Sequence, residues 1–160
     1  MMSTNLIGLE KSGAQALAEQ LNGLLANYQV LYMNVRGFHW NVQGANFFEL
    51  HAKFEEIYDQ LLIKVDELAE RILTLGSQPL HGFSDYLVRS AIEEAKEVHD
   101  GHLAIENILS SYQRLLRLQR QILTAASELG DEGTVSLLSD YISQQEKESW
   151  MLAAYQGRRA

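Results

Sequence analysis

The chain has 160 residues, of which 46% are hydrophobic and one is proline, which is enough for a single domain, residues 1–160, with its own core. Thirteen basic and 21 acidic residues give a formal net charge of -8. This charge disfavours a generic nucleic-acid surface and suits the attraction of cations. The absence of cysteine excludes disulfides and thiolate metal sites. No apolar stretch approaches about 18 residues and no basic segment precedes an apolar run at the N-terminus, so neither a membrane span nor a secretory signal is predicted.

The first long helix is predicted to follow a short arm, residues 1–12, and to end at Gln43, with Gly44 as its stop. Its inward positions recur with helical spacing: Leu17, Leu21, Leu24, Tyr28, Leu31, Val35 and Val42. His39 lies on the same inward face near the end of the helix, beside Trp40. The connection to the next helix is so short that the two helices must be antiparallel neighbours.

The second long helix has clear start and stop signals. Asn46 with Glu49 is a capping-box pattern, and Gly76 followed by Pro79 is typical of a helix end. About 29 residues lie between them, which corresponds to a helix of roughly 43 Å. One stripe predicts a core face: Leu50, Phe54, Ile57, Leu61, Val65, Leu68 and Ile72. A second stripe mixes apolar and ionisable residues: Phe47, His51, Glu55, Tyr58, Leu62, Asp66, Ala69 and Leu73.

Two pairs of potential metal ligands lie along this second helix. His51 and Glu55 are four residues apart, as are Asp66 and Glu70, so each pair can converge on one point. The 11 residues from Glu55 to Asp66 separate the pairs by roughly 16 Å along the axis, too far for one metal centre. Two such helices that cross antiparallel about a two-fold axis would bring the first pair of one chain to the second pair of the other. The spacing therefore predicts a site shared between subunits.

Each of these residues also has an ordinary structural interpretation. A single helical carboxylate is most often solvated, and a single histidine on a mixed face is most often a satisfied, buried residue. Asp66 and Glu70, however, are like charges at i,i+4, which destabilise a helix unless a cation lies between them. Glu67 and Arg71 beside them are predicted to form an ordinary ion pair. The two pairs together with His39 favour a metal site.

The second half of the chain predicts two further long helices after a long connection. Ser84 to Leu87 is compatible with a short helix, and Ser90 to Glu93 is a second capping-box pattern. The third long helix is predicted over 101–129, a tight turn over 130–133, the fourth long helix over 134–156 and a tail over 157–160. A basic row on the third helix favours a subunit contact or a solvated edge over a nucleic-acid site: Arg114, Arg117 and Arg120.

The predicted order of elements is long, long, crossover, long, long, which is an all-α, ferritin-like four-helix bundle with a short helix in the crossover. The iron site inside such bundles uses Glu-x-x-His, and no glutamate in this chain has a histidine three positions later. An iron site in this bundle is therefore predicted to lie elsewhere, at the interface between subunits.

The chain resembles the Dps family, the mini-ferritins of bacteria and archaea, over essentially its whole length. The motifs that carry the resemblance are specific: His39-Trp40-Asn41-Val42, Gly44-Ala45-Asn46-Phe47, Leu50-His51 and Asp66-Glu67-Leu68-Ala69-Glu70-Arg71. The resemblance implies a cytoplasmic or nucleoid-associated hollow dodecamer. Such cages oxidise Fe(II), usually with hydrogen peroxide, and store the ferric product inside.

The resemblance also implies a two-iron ferroxidase centre at a two-fold interface. By position, its ligands would be His39, His51 and Glu55 of one chain with Asp66 and Glu70 of its partner. Glu55 stands where the family more often has aspartate, a difference that bears on the weaker iron position. Imidazole and carboxylate are suitable ligands for Fe(II), and carboxylate oxygen favours Fe(III).

The sequence leaves alternatives to a catalytic iron cage. Trp40 resembles a family tryptophan that shields the centre or takes up stray oxidising equivalents, although packing at an interface is an equally good interpretation. Some family members compact DNA through lysine-rich tails, so a DNA-binding protein is the second hypothesis; a scaffold without metal is the third. The negative charge and the shortage of basic residues near the ends argue against DNA binding.

Overall fold

The computed structural model describes residues 3–159. Within this range the helices, in chain order, are α1 (Lys11–Asn41), α2 (Phe47–Thr74), α3 (Phe83–Arg89), α4 (Gly101–Leu129) and α5 (Glu132–Tyr155). Helix α1 packs against α2, α3 and α4, and α4 packs against α5. Large apolar side chains from all four long helices fill the core, among them Tyr28, Phe54, Tyr112 and Leu138. The predicted bundle with a short helix in its crossover is confirmed.

Side-chain caps start two of the helices earlier than the sequence predicted. The Glu10 carboxylate accepts hydrogen bonds from the backbone N–H groups of Ser12 and Gly13 at 3.0 and 2.7 Å, so α1 begins at Lys11, earlier than predicted. Asp131 accepts from the N–H of Thr134, so α5 begins at 132 rather than 134. Residues 1 and 2 of the predicted arm and residue 160 of the predicted tail lie outside the described residues.

Both predicted capping boxes are wrong. Asn46 does precede α2, but it has a φ of +63° and its side chain makes no capping hydrogen bond. The reversal between α1 and α2 needs two residues in left-handed conformations, Gly44 at +91° and Asn46, and asparagine tolerates that conformation. Ser90 ends α3 rather than starting a helix. Its hydroxyl instead donates to the carbonyl oxygen of Ile92 at 2.8 Å.

Three buried asparagines on α1 hold the long crossover in place. Asn22 accepts from the N–H of Leu80 at 2.8 Å, and Asn34 accepts from the N–H of Ala95 at 2.9 Å. Between them, Asn27 accepts from two backbone N–H groups, those of Ala91 and Ile92. Asn22 and Asn34 also donate to crossover carbonyls. These bonds satisfy backbone groups that have no helical partner, so a long connection with one short helix is ordered against the bundle.

Helix α2 has the two predicted faces, with differences on the core side. Six of the seven predicted core residues are buried, whereas Val65 is half-buried. Lys64, which was not predicted to be inside, is only 4% exposed and donates to Gln144 at 2.7 Å. The mixed stripe lies at the surface, where Leu62 and Leu73 are 47% and 58% exposed. Helix α2 therefore carries an unusually apolar outer face.

The predicted ion pair between Glu67 and Arg71 is wrong. Arg71 pairs with Asp131 at the start of α5 and donates from Nε to the Thr134 hydroxyl at 2.9 Å. A side chain at Gly133 would meet the Arg71 guanidinium, because an added Cβ would lie 2.8 Å from it. The turn into α5 is thus built around an arginine from α2, which fixes the two helices relative to each other.

Candidate metal centre

Three neutral side chains bond to one another in the middle of the bundle. Tyr28 donates to Gln119, Gln119 donates to Gln145 at 2.9 Å, and Gln145 donates to the Tyr28 hydroxyl at 2.6 Å. All three residues are at most 2% exposed. The three side chains form a hydrogen-bonded ring that links α1, α4 and α5. Each side chain is a hydrogen-bond partner of the other two.

His39 of α1 and His51 of α2 form a stacked pair at the edge of the bundle. Their rings lie 3.8 Å apart between centroids, with 13° between the planes. Nδ1 of His39 lies 2.6 Å from the carbonyl oxygen of His51, and Nδ1 of His51 lies 2.8 Å from the carbonyl oxygen of His39. A carbonyl only accepts, so each Nδ1 carries the proton and each Nε2 keeps its lone pair. Both rings are held in the tautomer that binds a metal through Nε2.

Aromatic side chains enclose the histidine pair on both sides. Phe47 stacks on His51 at 5.1 Å, and Tyr58 lies edge-on to His39 at 5.3 Å. Partial burial, followed by the carboxylates of Glu55 and Asp59, raises the pKa of Tyr58. Glu55 lies three residues before Tyr58 on α2, and its side chain is exposed. These contacts restrict the rotation of both imidazoles.

Trp40 lies near this pair but points outward. It is 59% exposed, and the Arg36 guanidinium lies 5.0 Å from the centre of its ring. The same guanidinium lies 5.7 Å from the Tyr58 ring and donates to the Tyr32 hydroxyl at 2.8 Å. Arg36 thus ties Trp40 to the tyrosine that packs on His39, a connection that the sequence did not predict.

Asp66 and Glu70 form the second pair, farther along α2. A hydrogen bond with Asp66, then the negative charge of Asp66, raises the pKa of the Glu70 carboxyl. Asp66 and Glu70 are four residues apart on α2, so their carboxyl groups lie one turn apart on the same side of the helix. Both are exposed. A divalent cation bound between them would remove the repulsion between the two carboxylates.

One subunit does not bring the two pairs together. Among residues 3–159, no group of three or more histidine, aspartate or glutamate side chains is close enough to hold one metal ion. His39 and His51 converge, and Asp66 and Glu70 converge, but roughly four turns of α2 separate His51 from Asp66. The exposed Leu62 lies on the stripe between the pairs. Within one chain, the arrangement is two separate pairs of candidate metal ligands joined by an apolar surface.

Comparison with known proteins agrees with this architecture. The profile of the ferritin-like domain matches residues 18–159. The crystal structure of a Dps protein from Vibrio cholerae superimposes with a TM-score of 0.95 at 56% identity and covers 98% of both chains. An uncharacterized protein of Haemophilus influenzae is 52% identical over 153 residues, 96% of each chain. A DNA protection during starvation protein of Porphyromonas gingivalis is 44% identical over 148 residues, 92% of this chain and 93% of the relative.

The helical fold and the match to the ferritin-like domain show that this is a ferritin-like protein. Several relatives that carry the DNA protection name, and several solved Dps structures, match it over most of their length. The chain belongs to the Dps family.

Proposed function

We propose that this protein is a ferroxidase and iron-storage cage whose two-iron centres form between subunits. His39, His51 and Glu55 of one subunit would supply one half of each centre, and Asp66 and Glu70 of the partner subunit the other half. The observation that carries the proposal is the reciprocal hydrogen bonding of the histidine pair, which presents two Nε2 lone pairs. Fe(II) is the substrate of such a centre.

The geometry of α2 supports the sharing of the centre. The two half-sites lie along the mixed stripe of one helix, so an antiparallel crossing of two α2 helices places each half-site opposite its complement. The exposed Leu62 would lie near such a crossing, where a second subunit would cover it. The same contact would therefore bury apolar surface and complete two centres at once.

The residues have distinct chemical roles in this proposal. Imidazole nitrogen suits Fe(II), while the carboxylates of Asp66 and Glu70 favour the Fe(III) product. Two Fe(II) each give up one electron, and hydrogen peroxide takes up both electrons and two protons to become two water molecules. Oxidation in pairs releases no hydroxyl radical. The neighbouring Asp66 raises the pKa of the Glu70 carboxyl, so protons compete with a cation for this half-site and binding there weakens as pH falls.

This chemistry suits the name that the relatives carry. Removal of Fe(II) and hydrogen peroxide together would protect DNA during starvation without any contact with DNA. The proposal includes assembly into a hollow dodecamer, storage of the ferric product inside it and a cytoplasmic location. No helix in the described residues is long and apolar enough to cross a membrane.

Anaerobic titration with Fe(II), followed by hydrogen peroxide, tests the proposal. We expect optical changes that saturate with Fe(II), and consumption of one peroxide for every two Fe(II). His51→Ala should abolish the fast phase, whereas His81→Ala should not, because His81 lies exposed on the crossover. A fast phase that survives His51→Ala would refute the assignment, and a stoichiometry of one Fe(II) per peroxide would refute oxidation in pairs.

A further inference from the structure

A groove between α4 and α5 collects arginine side chains from distant parts of the chain. Its volume is about 680 Å³, and four arginines line it: Arg117, Arg120, Arg158 and Arg159. The chain has only 13 basic residues in all. This concentration of positive charge lies outside the histidine and carboxylate half-sites and has no part in the proposed iron chemistry.

The turn after α5 fixes the tail against this groove. Gly157 has a φ of +75°, and the N–H of Arg158 donates back to the carbonyl of Ala153 at 2.9 Å, which ends the helix in a Schellman-type turn. The Gln156 side chain donates to the carbonyl of His102 on α4 at 3.0 Å. The two arginines that follow are therefore delivered to one side of the bundle, next to the basic row of α4.

The groove carries a local excess of positive charge. Arg120 pairs with Glu146 at 2.9 Å and Arg158 pairs with Glu106 at 3.1 Å, and both arginines are about half exposed. Within residues 3–159, Arg117 and Arg159 have no acidic partner within ion-pair distance. Two arginines thus remain without a counter-charge in a chain whose net charge is -8. Exposed ion pairs such as those of Arg120 and Arg158 are weak, so a stronger anion could compete for them.

We propose that this groove binds a small phosphate oxyanion, either inorganic phosphate or a short oligophosphate. The planar guanidinium group matches phosphate oxygens with two parallel hydrogen bonds, and several arginines around one cavity are the usual means of binding multiple negative charges. The hydroxyl groups of Ser110 and Ser149 also line the groove and can donate. The groove has the volume of a small-molecule site and is not an extended surface of the kind that binds a nucleic-acid duplex.

Isothermal titration calorimetry of the assembled protein with sodium tripolyphosphate and with inorganic phosphate tests this proposal. We expect saturable binding that is tighter for tripolyphosphate. The double variant Arg117→Gln, Arg159→Gln should bind at least about tenfold more weakly, because it removes two charged donors. Arg114→Gln is the matched control, because Arg114 belongs to the same basic row of α4 but does not line the groove. It should change the affinity by less than about twofold, since its charge acts through solvent.

The outcomes separate the proposal from its alternatives. Equal weakening by Arg114→Gln and by the double variant would show a general charge effect and would overturn the site. Absence of saturable binding would also overturn the proposal. This result is expected if a neighbouring subunit fills the groove. A third arm uses a DNA duplex at the same salt concentration. Tighter binding of the duplex than of tripolyphosphate, lost in the double variant, would overturn the small-ion proposal in favour of a nucleic-acid surface. Size-exclusion chromatography of each variant verifies that the assembly is unchanged.

Discussion

Complementation between two inactive variants tests the shared centre most directly. His51→Ala removes a ligand from the first half-site and Asp66→Ala removes one from the second, so each homogeneous assembly should lose fast oxidation of Fe(II). In a two-fold pair of unlike chains, one centre receives both lesions. The other centre combines the intact histidine half of the Asp66→Ala chain with the intact carboxylate half of the His51→Ala chain, and it should work.

The expected recovery follows from counting the pairs. Random mixing of the two variants in equal amounts makes about half of the two-fold pairs unlike, and each unlike pair restores one centre of its two. Fast oxidation should therefore return to about a quarter of the wild-type amplitude. The lesions are not expected to prevent assembly, since the Asp66 side chain is exposed and His51 is only half-buried.

A second mixture provides the control. His39→Ala and His51→Ala both damage the histidine half, so no pairing of these chains contains an intact half of that kind. Stopped-flow absorbance after unfolding, mixing and refolding measures both mixtures, and mass spectrometry of differently labelled chains verifies the mixing. Recovery in the histidine–histidine mixture, or none in the His51 and Asp66 mixture, would refute the shared centre.

Three further predictions concern other residues. Glu55→Asp should leave assembly intact. Glu55→Ala should weaken iron binding in calorimetry more than it lowers the melting temperature of the metal-free protein, because Glu55 lies on the exposed stripe. A large loss of stability in Glu55→Ala would show a structural role. Burial raises the pKa values of Tyr28, Tyr112 and Tyr141, so the stability that they contribute is present below the unfolded tyrosine pKa of about 10 and falls as pH rises above it. Urea midpoints that do not fall between about pH 9 and pH 11 would contradict this. At about 0.15 M salt, where charges are screened beyond roughly 8 Å, we expect no stable DNA complex in a gel shift; a complex that disappears when Arg158 and Arg159 are deleted would overturn this expectation.

Periodic patterns made the bundle predictable. The bounds of α4 match those predicted, since its apolar residues keep helical phase up to Gly130, which ends the helix with a φ of +78°. The same logic placed α2 and its two faces. Lys64 was not predicted in the core, because its burial depends on Gln144 of α5, 80 residues away. Periodicity identifies which face is apolar, but it does not show which polar side chain will find a partner inside.

The crossover shows most clearly what the sequence could not reveal. Asparagine in the middle of a helix usually lowers helix propensity, so Asn22, Asn27 and Asn34 gave no signal as anchors. Their partners lie more than 50 residues away in sequence. The Ser90 pattern was misleading for a related reason, because its hydroxyl found local partners that do not require a helix.

The candidate site likewise has a part that the sequence predicted and a part that it did not. Spacing alone predicted two pairs of candidate ligands on α2 and the distance between the pairs, because both follow from helix geometry. For His39, the sequence predicted only a position on the inward face near the end of α1. The stacking of His39 on His51 and the exchange of Nδ1–H···O=C bonds depend on how closely two helices approach. That contact is a product of the antiparallel α1–α2 packing and could be recognised only in three dimensions.

The position of the half-sites predicts how the protein responds to loss of metal. A centre inside the bundle would need buried carboxylates, and each of these would cost several kcal/mol without its cation. Here the middle of the bundle holds a neutral ring of Tyr28, Gln119 and Gln145, while Asp66 and Glu70 are exposed to water. Folding of the subunit should therefore be independent of iron. We expect the thermal unfolding of protein prepared with a chelator to fall within a few degrees of that of Fe(II)-loaded protein at the same subunit concentration, followed by circular dichroism under anaerobic conditions. A chelated protein that is already unfolded at room temperature would show that metal ligation is part of the fold and would refute the separation of core and centre.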